Sequence, residues 1–260
     1  MGELDITFLG TGTSHGIPVI GCNCRVCHSP DPRDRRLRTA ILVRTPETIF
    51  CVDTPPDFRA QCLREGITQL DAVVYTHSHS DHILGFDDLR RFCEIEDKSI
   101  PVYAAERTMN DLARVFQYAF DGSQKFRNYV RPEANVIRGP FDLGKTTLVP
   151  VDLPHGRAIT SGLIFQRGGR RLLAYMTDCH AVPPEAVEAA RGVGVLVIDA
   201  LRHAAHSTHL SVTQAMEVVG RIQPKKTYFI HMCHELGHAE TEAALPDDIR
   251  LSYDGLQITV

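Results

Sequence analysis

Thr76-His77-Ser78-His79-Ser80-Asp81-His82 sets three imidazoles and one carboxylate within six residues. Neutral imidazole and carboxylate are the donors that zinc, manganese and iron accept. In a tight loop His77 and His79 can point one way while Asp81 and His82 face a second point. One His pair would carry little weight, because exposed histidines are common. Four ligand-type residues at this spacing outweigh the bland alternative of a polar loop. Further donors stand at expected strand ends: His155 in Leu153-Pro154-His155-Gly156, Asp178 after 172–177, and His231 after 227–230. Each alone reads as a solvent-facing strand end. Together with the loop they could serve two metal sites. Two cations side by side bring the pKa of a shared water down toward neutrality from about 15.7 in bulk. That is the chemistry of ester hydrolysis.

A second cluster is Gly21-Cys22-Asn23-Cys24-Arg25-Val26-Cys27. Eight cysteines in so large a chain do not read as a disulfide framework, and C-x-C-x-x-C among polar neighbours reads as a metal clip. The alternative is three buried small hydrophobes. A third feature is Thr208-His209-Leu210-Ser211, just before a helix.

The elements that must position these groups follow from periodicity and turn residues. A first strand over 4–9 ends in Gly10-Thr11-Gly12. Residues 39–44 and 48–52 read as a hairpin around Pro46, and 71–75 as a short apolar strand feeding the histidine loop. Residues 163–166 and 171–176 flank Gly168-Gly169, another hairpin signal. Buried strands are expected over 194–198 and 227–230. Helical patterns cover 57–64, 86–95, 106–120 and 213–222, the last opened by a capping box at Ser211 and Gln214. Hairpins first, then strands alternating with helices, predict a layered α/β sandwich with mixed sheets.

With 43% hydrophobic residues, 260 residues can bury one large core, so 1–260 reads as a single domain with 105–140 as a candidate lid. Lys125 and Arg127 in that segment could face an anionic substrate or form a solvated turn. Arg35, Arg36 and Arg38 carry the same ambiguity. A net charge of −4 gives no basic stripe, which disfavours a nucleic-acid partner. No signal peptide is visible and no apolar run reaches the roughly 20 residues a membrane span needs. The expectation is a cytoplasmic enzyme with no membrane partner.

HSHSDH followed by His155, Asp178 and His231 resembles the metallo-β-lactamase superfamily. The resemblance implies an αββα four-layer sandwich with two mixed sheets. It implies one metal on His77, His79 and His155, a second on Asp81, His82 and His231, and Asp178 bridging them, with Asp53 supporting the site from behind. The two active-site ions would be zinc or manganese, or iron, and a metal-bound hydroxide would attack the substrate. Gly10-Thr11-Gly12-Thr13-Ser14-His15-Gly16-Ile17-Pro18, followed by the cysteine cluster, is similar to the PhnP-like branch, the phosphoribosyl cyclic phosphodiesterases. That similarity implies a structural zinc on Cys22, Cys24, Cys27 and His234; His28 and Cys233 are less favoured candidates for the fourth place, His28 because it directly follows Cys27 and its side chain would point elsewhere. It also implies that His209 contacts the scissile phosphate and protonates the leaving oxygen, in preference to His203 or His206. Asp81 and His209 are thus the candidate catalytic residues.

Three readings follow. The first is a phosphodiesterase for small cyclic phosphates of phosphoribosyl or nucleotide type, with a small-molecule phosphodiester as partner and a homodimer as candidate assembly. The second is another hydrolase of the fold, acting on a thioester, a lactone or an RNA 3′ end. The third is a non-catalytic cofactor-biosynthesis protein like that of pyrroloquinoline quinone formation, against which the complete ligand set argues.

Overall fold

The structure is a computed structural model that describes residues 3–122 and 128–260. The first half of the chain builds most of one sheet: β1 (Asp5–Gly10), β2 (Ala40–Arg44), β3 (Ile49–Val52), β4 (Ala72–Tyr75), β5 (Ile100–Ala105) and β6 (Pro132–Ile137). The second half builds the other: β7 (Phe141–Leu143), β8 (Thr146–His155), β9 (Ala158–Arg167), β10 (Arg170–Met176), β11 (Val195–Asp199), β12 (Lys226–Ile230) and β13 (Ile249–Leu251). The last strand, β14 (Gln257–Thr259), crosses back to pair with β1, so each sheet has seven strands, in the orders β14-β1-β2-β3-β4-β5-β6 and β13-β12-β11-β10-β9-β8-β7. Both sheets are mixed. β3 to β6 run parallel, as do β10 to β13, while the expected hairpins β2–β3 and β9–β10 are antiparallel.

Strand sequences explain the layering. Ala72-Val73-Val74-Tyr75 and Val195-Leu196-Val197-Ile198 are continuous apolar runs, the mark of strands covered on both faces. Alternate residues point opposite ways. Ala72, Val74, Val195 and Val197 meet between the sheets, with Ile6, Phe8, Phe165 and Tyr175. Val73 and Tyr75 face the other way, onto helical residues Phe58, Phe86, Leu89 and Leu112. Leu196 and Ile198 do the same against Val187, Ala215, Val218 and Ile222. The result is the αββα sandwich expected from the sequence.

The helix pattern over 213–222 becomes Val212–Ile222 with both arms of the Ser211–Gln214 capping box formed. The pattern over 86–95 starts as a 3₁₀ turn, Phe86–Leu89, before the α-helix Arg90–Glu96. The pattern over 106–120 is broken at Phe116, whose backbone (φ −109°, ψ 43°) separates Glu106–Val115 from Gln117–Phe120. The break lets Phe116 and Phe120 both stack on Phe86, at centroid distances of 4.5 and 5.6 Å. Phe86→Ala would remove the centre of that stack and leave a cavity. A loss of about 3–5 kcal/mol is expected in denaturant unfolding; a loss below about 1 kcal/mol would contradict this packing account. Residues 105–140, the candidate lid, comprise these two helices and β6 around residues 123–127, and Lys125 and Arg127 lie outside the described residues.

Candidate metal centre and active site

The histidine loop leaves the carboxyl end of β4, and the other donors leave the same rim. His155 ends β8, Asp178 follows β10, His209 lies in the loop after β11, and His231 follows β12. Ligand sites in parallel sheets lie at this end of the strands. Three non-glycine residues adopt left-handed backbone here: Asp53 (φ 66°), Asp178 (φ 54°) and His231 (φ 62°). Such conformations cost of order 1–3 kcal/mol each and persist where the surroundings impose them. Each ends a strand with a sharp bend.

The donors gather in two adjoining groups. The ligand atoms of His77, His79 and His155 lie within 4.8 Å of one another, and so do those of Asp81, His82, Asp178 and His231. Asp178 sits between the groups, with carboxylate oxygens 3.9 Å from His77 Nε2, 3.3 Å from His82 Nε2 and 3.2 Å from His231 Nδ1. All seven residues named from the sequence are therefore brought to one place.

Their surroundings prepare them for cations. His77 Nε2 and His82 Nε2 are buried without a hydrogen bond among the described residues. A buried polar atom left so costs free energy unless an ion or water takes it. Burial pushes the His77 and His155 rings below the usual imidazole range and His231 down to about 3, so all three are neutral with a lone pair to give. Burial would raise Asp178, but the His231 and His82 rings outweigh it and hold the carboxyl well below its usual range. His82 departs from the pattern. Burial pushes it down, yet Asp178, Asp81 and Asp53 together hold it well above the usual range. That excess of negative charge is what a bound cation would neutralise.

Second partners fix the rings. Asp53 takes hydrogen bonds from the Thr76 amide (2.9 Å) and hydroxyl (2.8 Å), and its other contact is His82 Nδ1 at 2.7 Å. His155 Nδ1 lies 2.8 Å from the Thr208 carbonyl, which leaves Nε2 facing the site. Ring orientation by such contacts is typical of metal-binding histidines.

His209 belongs to neither group by its bonding. Its ring stacks on His231 (4.7 Å between centroids) and packs edge-on to His155 (4.7 Å). Its Nδ1 is 2.7 Å from Asp199, the last residue of β11. Burial would lower His209, but Asp199 outweighs it and raises the ring above its usual range, while burial raises Asp199 itself to about 6. Asp199 escapes sequence reasoning because it reads as the polar end of an apolar strand; its only signal is an acidic residue ten positions before His209. His203 is exposed, and His206 turns Nδ1 to the Thr208 amide at 3.3 Å.

A cavity of about 410 Å³ opens over this floor, with Ser14, Arg107, Arg157 and Thr208 among its walls. Neither arginine was picked out by motif. Of the arginines whose role the sequence leaves ambiguous, Arg36 is fully buried, bonding to the Cys233 and Leu236 carbonyls (3.0 and 2.7 Å) and to Asp34. Arg38 pairs with Asp57 at 3.0 Å, and Arg35 is exposed.

Arg36 anchors the turn that carries His234, the fourth member of the cysteine cluster. His234 Nδ1 lies 3.2, 3.4 and 3.7 Å from the sulfurs of Cys22, Cys24 and Cys27. His28 turns away to Asn23, and the Cys233 sulfur accepts the Glu235 amide. The Cys27 amide and the His234 ring bring Cys24 down to about 6, against the effect of its burial, so a thiolate is available there. Three sulfurs and one imidazole nitrogen are a donor set suited to tetrahedral zinc. We expect three ions per chain in metal-replete protein and two in Cys24→Ser, with the melting temperature of the variant lower by roughly 5 °C, since about 2 kcal/mol corresponds to roughly 4–8 °C at this size. Elemental analysis with a thermal melt checks both. An unchanged melting temperature would remove the structural role.

Fold and donor floor together define a metal-binding hydrolase of the metallo-β-lactamase fold. The chain belongs to the β-lactamase superfamily domain family, whose model matches residues 48–232. The resemblance to the PhnP-like branch holds in three dimensions: the chain is 39% identical to a diphosphatase of the PhnP family, with a TM-score of 0.90 over 98% of this chain and 96% of that one. It shares the fold of Zn(2+)-bound PqqB from Methylobacterium extorquens, with 18% identity and a TM-score of 0.80 over 98% of this chain and 100% of that one. It is also 34% identical to an octanoyltransferase of Porphyromonas gingivalis, matching 97% of this chain but 51% of that protein, so the chain spans about half of that relative's length. No helix among the described residues is long and apolar enough to cross a membrane.

Proposed function

We propose that the protein hydrolyses small phosphodiesters, cyclic phosphates of ribose or nucleotide type being the favoured form. The observation that carries this reading is the His209–Asp199 pair, 2.7 Å apart and packed against the donor floor. His77, His79 and His155 would hold one divalent cation, and Asp81, His82 and His231 the other, with Asp178 shared. Bound there, the cations supply Lewis acidity and an acidified water. The chain's own contribution is the proton. Nδ1 of His209 is turned to Asp199, so Nε2 is free to hold a proton at the leaving oxygen. Thioesters need this less, because a thiolate leaves as a more stable anion than an alkoxide.

A second reading, cleavage of a phosphoric anhydride, is favoured by the 39% identity to a diphosphatase over nearly the whole chain. The name octanoyltransferase belongs to a protein twice as long, and a cavity walled by Arg107, Arg157 and Ser14 is a poor fit for an alkyl chain. The test is a panel: a cyclic ribose phosphate, a nucleoside diphosphate diester, an acyl thioester and a lactone, each assayed with metal content measured beside it. We expect kcat/KM for a phosphorus substrate to exceed that for both acyl substrates by at least about 10³-fold, or roughly 4 kcal/mol of transition-state stabilisation. A thioester or lactone as best substrate would overturn the reading.

A further inference from the structure

Gly10-Thr11-Gly12 ends β1 as the sequence predicts, and its path then runs alongside the turn that carries His231. The Thr11 carbonyl accepts the Met232 amide (3.0 Å), and the Met232 carbonyl accepts the Thr13 amide (3.1 Å). On its other side the Gly12 amide donates to the Leu37 carbonyl (2.8 Å). Only glycine permits so close an approach. A Cβ on Gly12 would lie 2.8 Å from the Arg36 carbonyl oxygen, and one on Gly10 would lie 1.9 Å from that of Arg38. Asp254 fastens the loop, its carboxylate accepting the Thr11 hydroxyl and the Leu37 amide, both at 2.8 Å. The glycine loop is thus a fixed support, wedged between residues 36–39 and the His231 turn.

Thr39 connects this support to the metal centre. It is fully buried, with Oγ1 2.9 Å from the Gly12 carbonyl and 3.2 Å from His231 Nδ1. A hydroxyl has one proton to give, and a carbonyl can only accept. The Thr39 proton therefore goes to Gly12, and Oγ1 accepts from His231. The other neighbour of Nδ1 is Asp178 Oδ1 at 3.2 Å, which itself accepts the Thr177 hydroxyl (2.6 Å). Both neighbours of Nδ1 are acceptors, so Nδ1 carries the ring proton and Nε2 keeps the lone pair. Asp178 also faces His77 and His82, between the two donor groups, which leaves Thr39 as the acceptor reserved for His231.

We infer that Thr39 is a positioning residue for the metal centre: it accepts the Nδ1–H hydrogen bond of His231 and so reserves Nε2 for the cation that His231 would hold with Asp81 and His82. The inference rests on the donor sets of the metal centre, and it is tested by metal binding and ring protonation, not by turnover. Zinc-loaded native protein, Thr39→Val and Thr39→Ser are titrated with chelators of graded strength. Losing the partner that orients a metal-binding histidine typically costs about 10–100-fold in metal affinity. The weaker of the two active-site ions should therefore dissociate from Thr39→Val with a constant raised about 10–100-fold. Thr39→Ser keeps the hydroxyl and should hold that ion nearly as the native protein does. The zinc on Cys22, Cys24, Cys27 and His234 should leave all three proteins alike, which a general loosening of the fold would not produce. A second measurement needs no substitution at Thr39. In ¹⁵N NMR of the zinc-loaded native protein, the His231 ring, assigned by its loss in His231→Gln, should carry its proton on Nδ1. A proton on Nε2, unchanged ion affinity in Thr39→Val, or equal weakening in Thr39→Ser would overturn the role. A native His231 that stays free of zinc would overturn the donor set and this role together. Absence of phosphodiester turnover would sink the functional reading alone and leave both measurements intact.

Discussion

Asp178→Asn should reduce hydrolysis by roughly 10³-fold or more, since several kcal/mol of charge stabilisation depends on the ion pair it serves. Among the described residues Asp178 is the one carboxylate with contacts into both donor groups, to His77 on one side and to His82 and His231 on the other. An amide has the same shape but one neutral oxygen and two N–H donors. Its nitrogen would face imidazole nitrogens that Asp178 now faces as an anion. The residue is buried and its backbone is left-handed, a conformation that Asn tolerates as well as Asp. The fold should therefore survive. Near-native turnover with a full metal complement would remove Asp178 from its bridging place. Near-native turnover with one ion lost would show that a single ion suffices.

His209→Ala should separate substrates by their leaving groups. Expelling an alkoxide benefits from protonation, and general acid catalysis is typically worth about 10²–10⁴-fold. A nitrophenolate leaves as a stable anion and needs less help. The variant should keep its metals and lose roughly 10²–10⁴-fold on an alkyl or ribose cyclic phosphate, with a much smaller loss on a nitrophenyl phosphodiester. His203→Ala and His206→Ala should show no such dependence, since His203 is exposed and neither has a carboxylate partner among the described contacts. Equal losses on both esters would point to phosphate binding in place of proton transfer. Loss of metal would make His209 a ligand, a role its place within 4.8 Å of His155 and Asp178 donors would also allow.

Much of the site is legible in the chain because its chemistry is local. His77, His79, Asp81 and His82 fall in one loop, and Cys22, Cys24 and Cys27 fall within six residues. Parallel strands such as β4 and β11 announce themselves as short apolar runs. What stays hidden is set by tertiary contact. β8 contains Pro150 and Pro154, which read as breakers. Past Leu148 it pairs, among the described residues, only with β9, so these prolines sit on an edge where the missing amide costs little. β6 is half exposed and lacks an apolar period. Asp199, Arg107 and Arg157 have no motif. Their importance appears only when β11, the Glu106–Val115 helix and the β8–β9 turn converge on one cavity. Arg36 shows the converse. By composition it is one of several basic residues that could face an anion, yet the structure buries it under the His234 turn.

The most direct test of the central claim is where solvent oxygen goes. Metal-loaded protein is incubated with a ribose cyclic phosphate in ¹⁸O-water, and the product is read by ³¹P NMR. Hydrolysis at phosphorus, with the sugar oxygen leaving as an alcohol, predicts a ring-opened phosphomonoester carrying one ¹⁸O on phosphorus. Label on a sugar carbon, or no ring opening while an acyl substrate turns over, would contradict it.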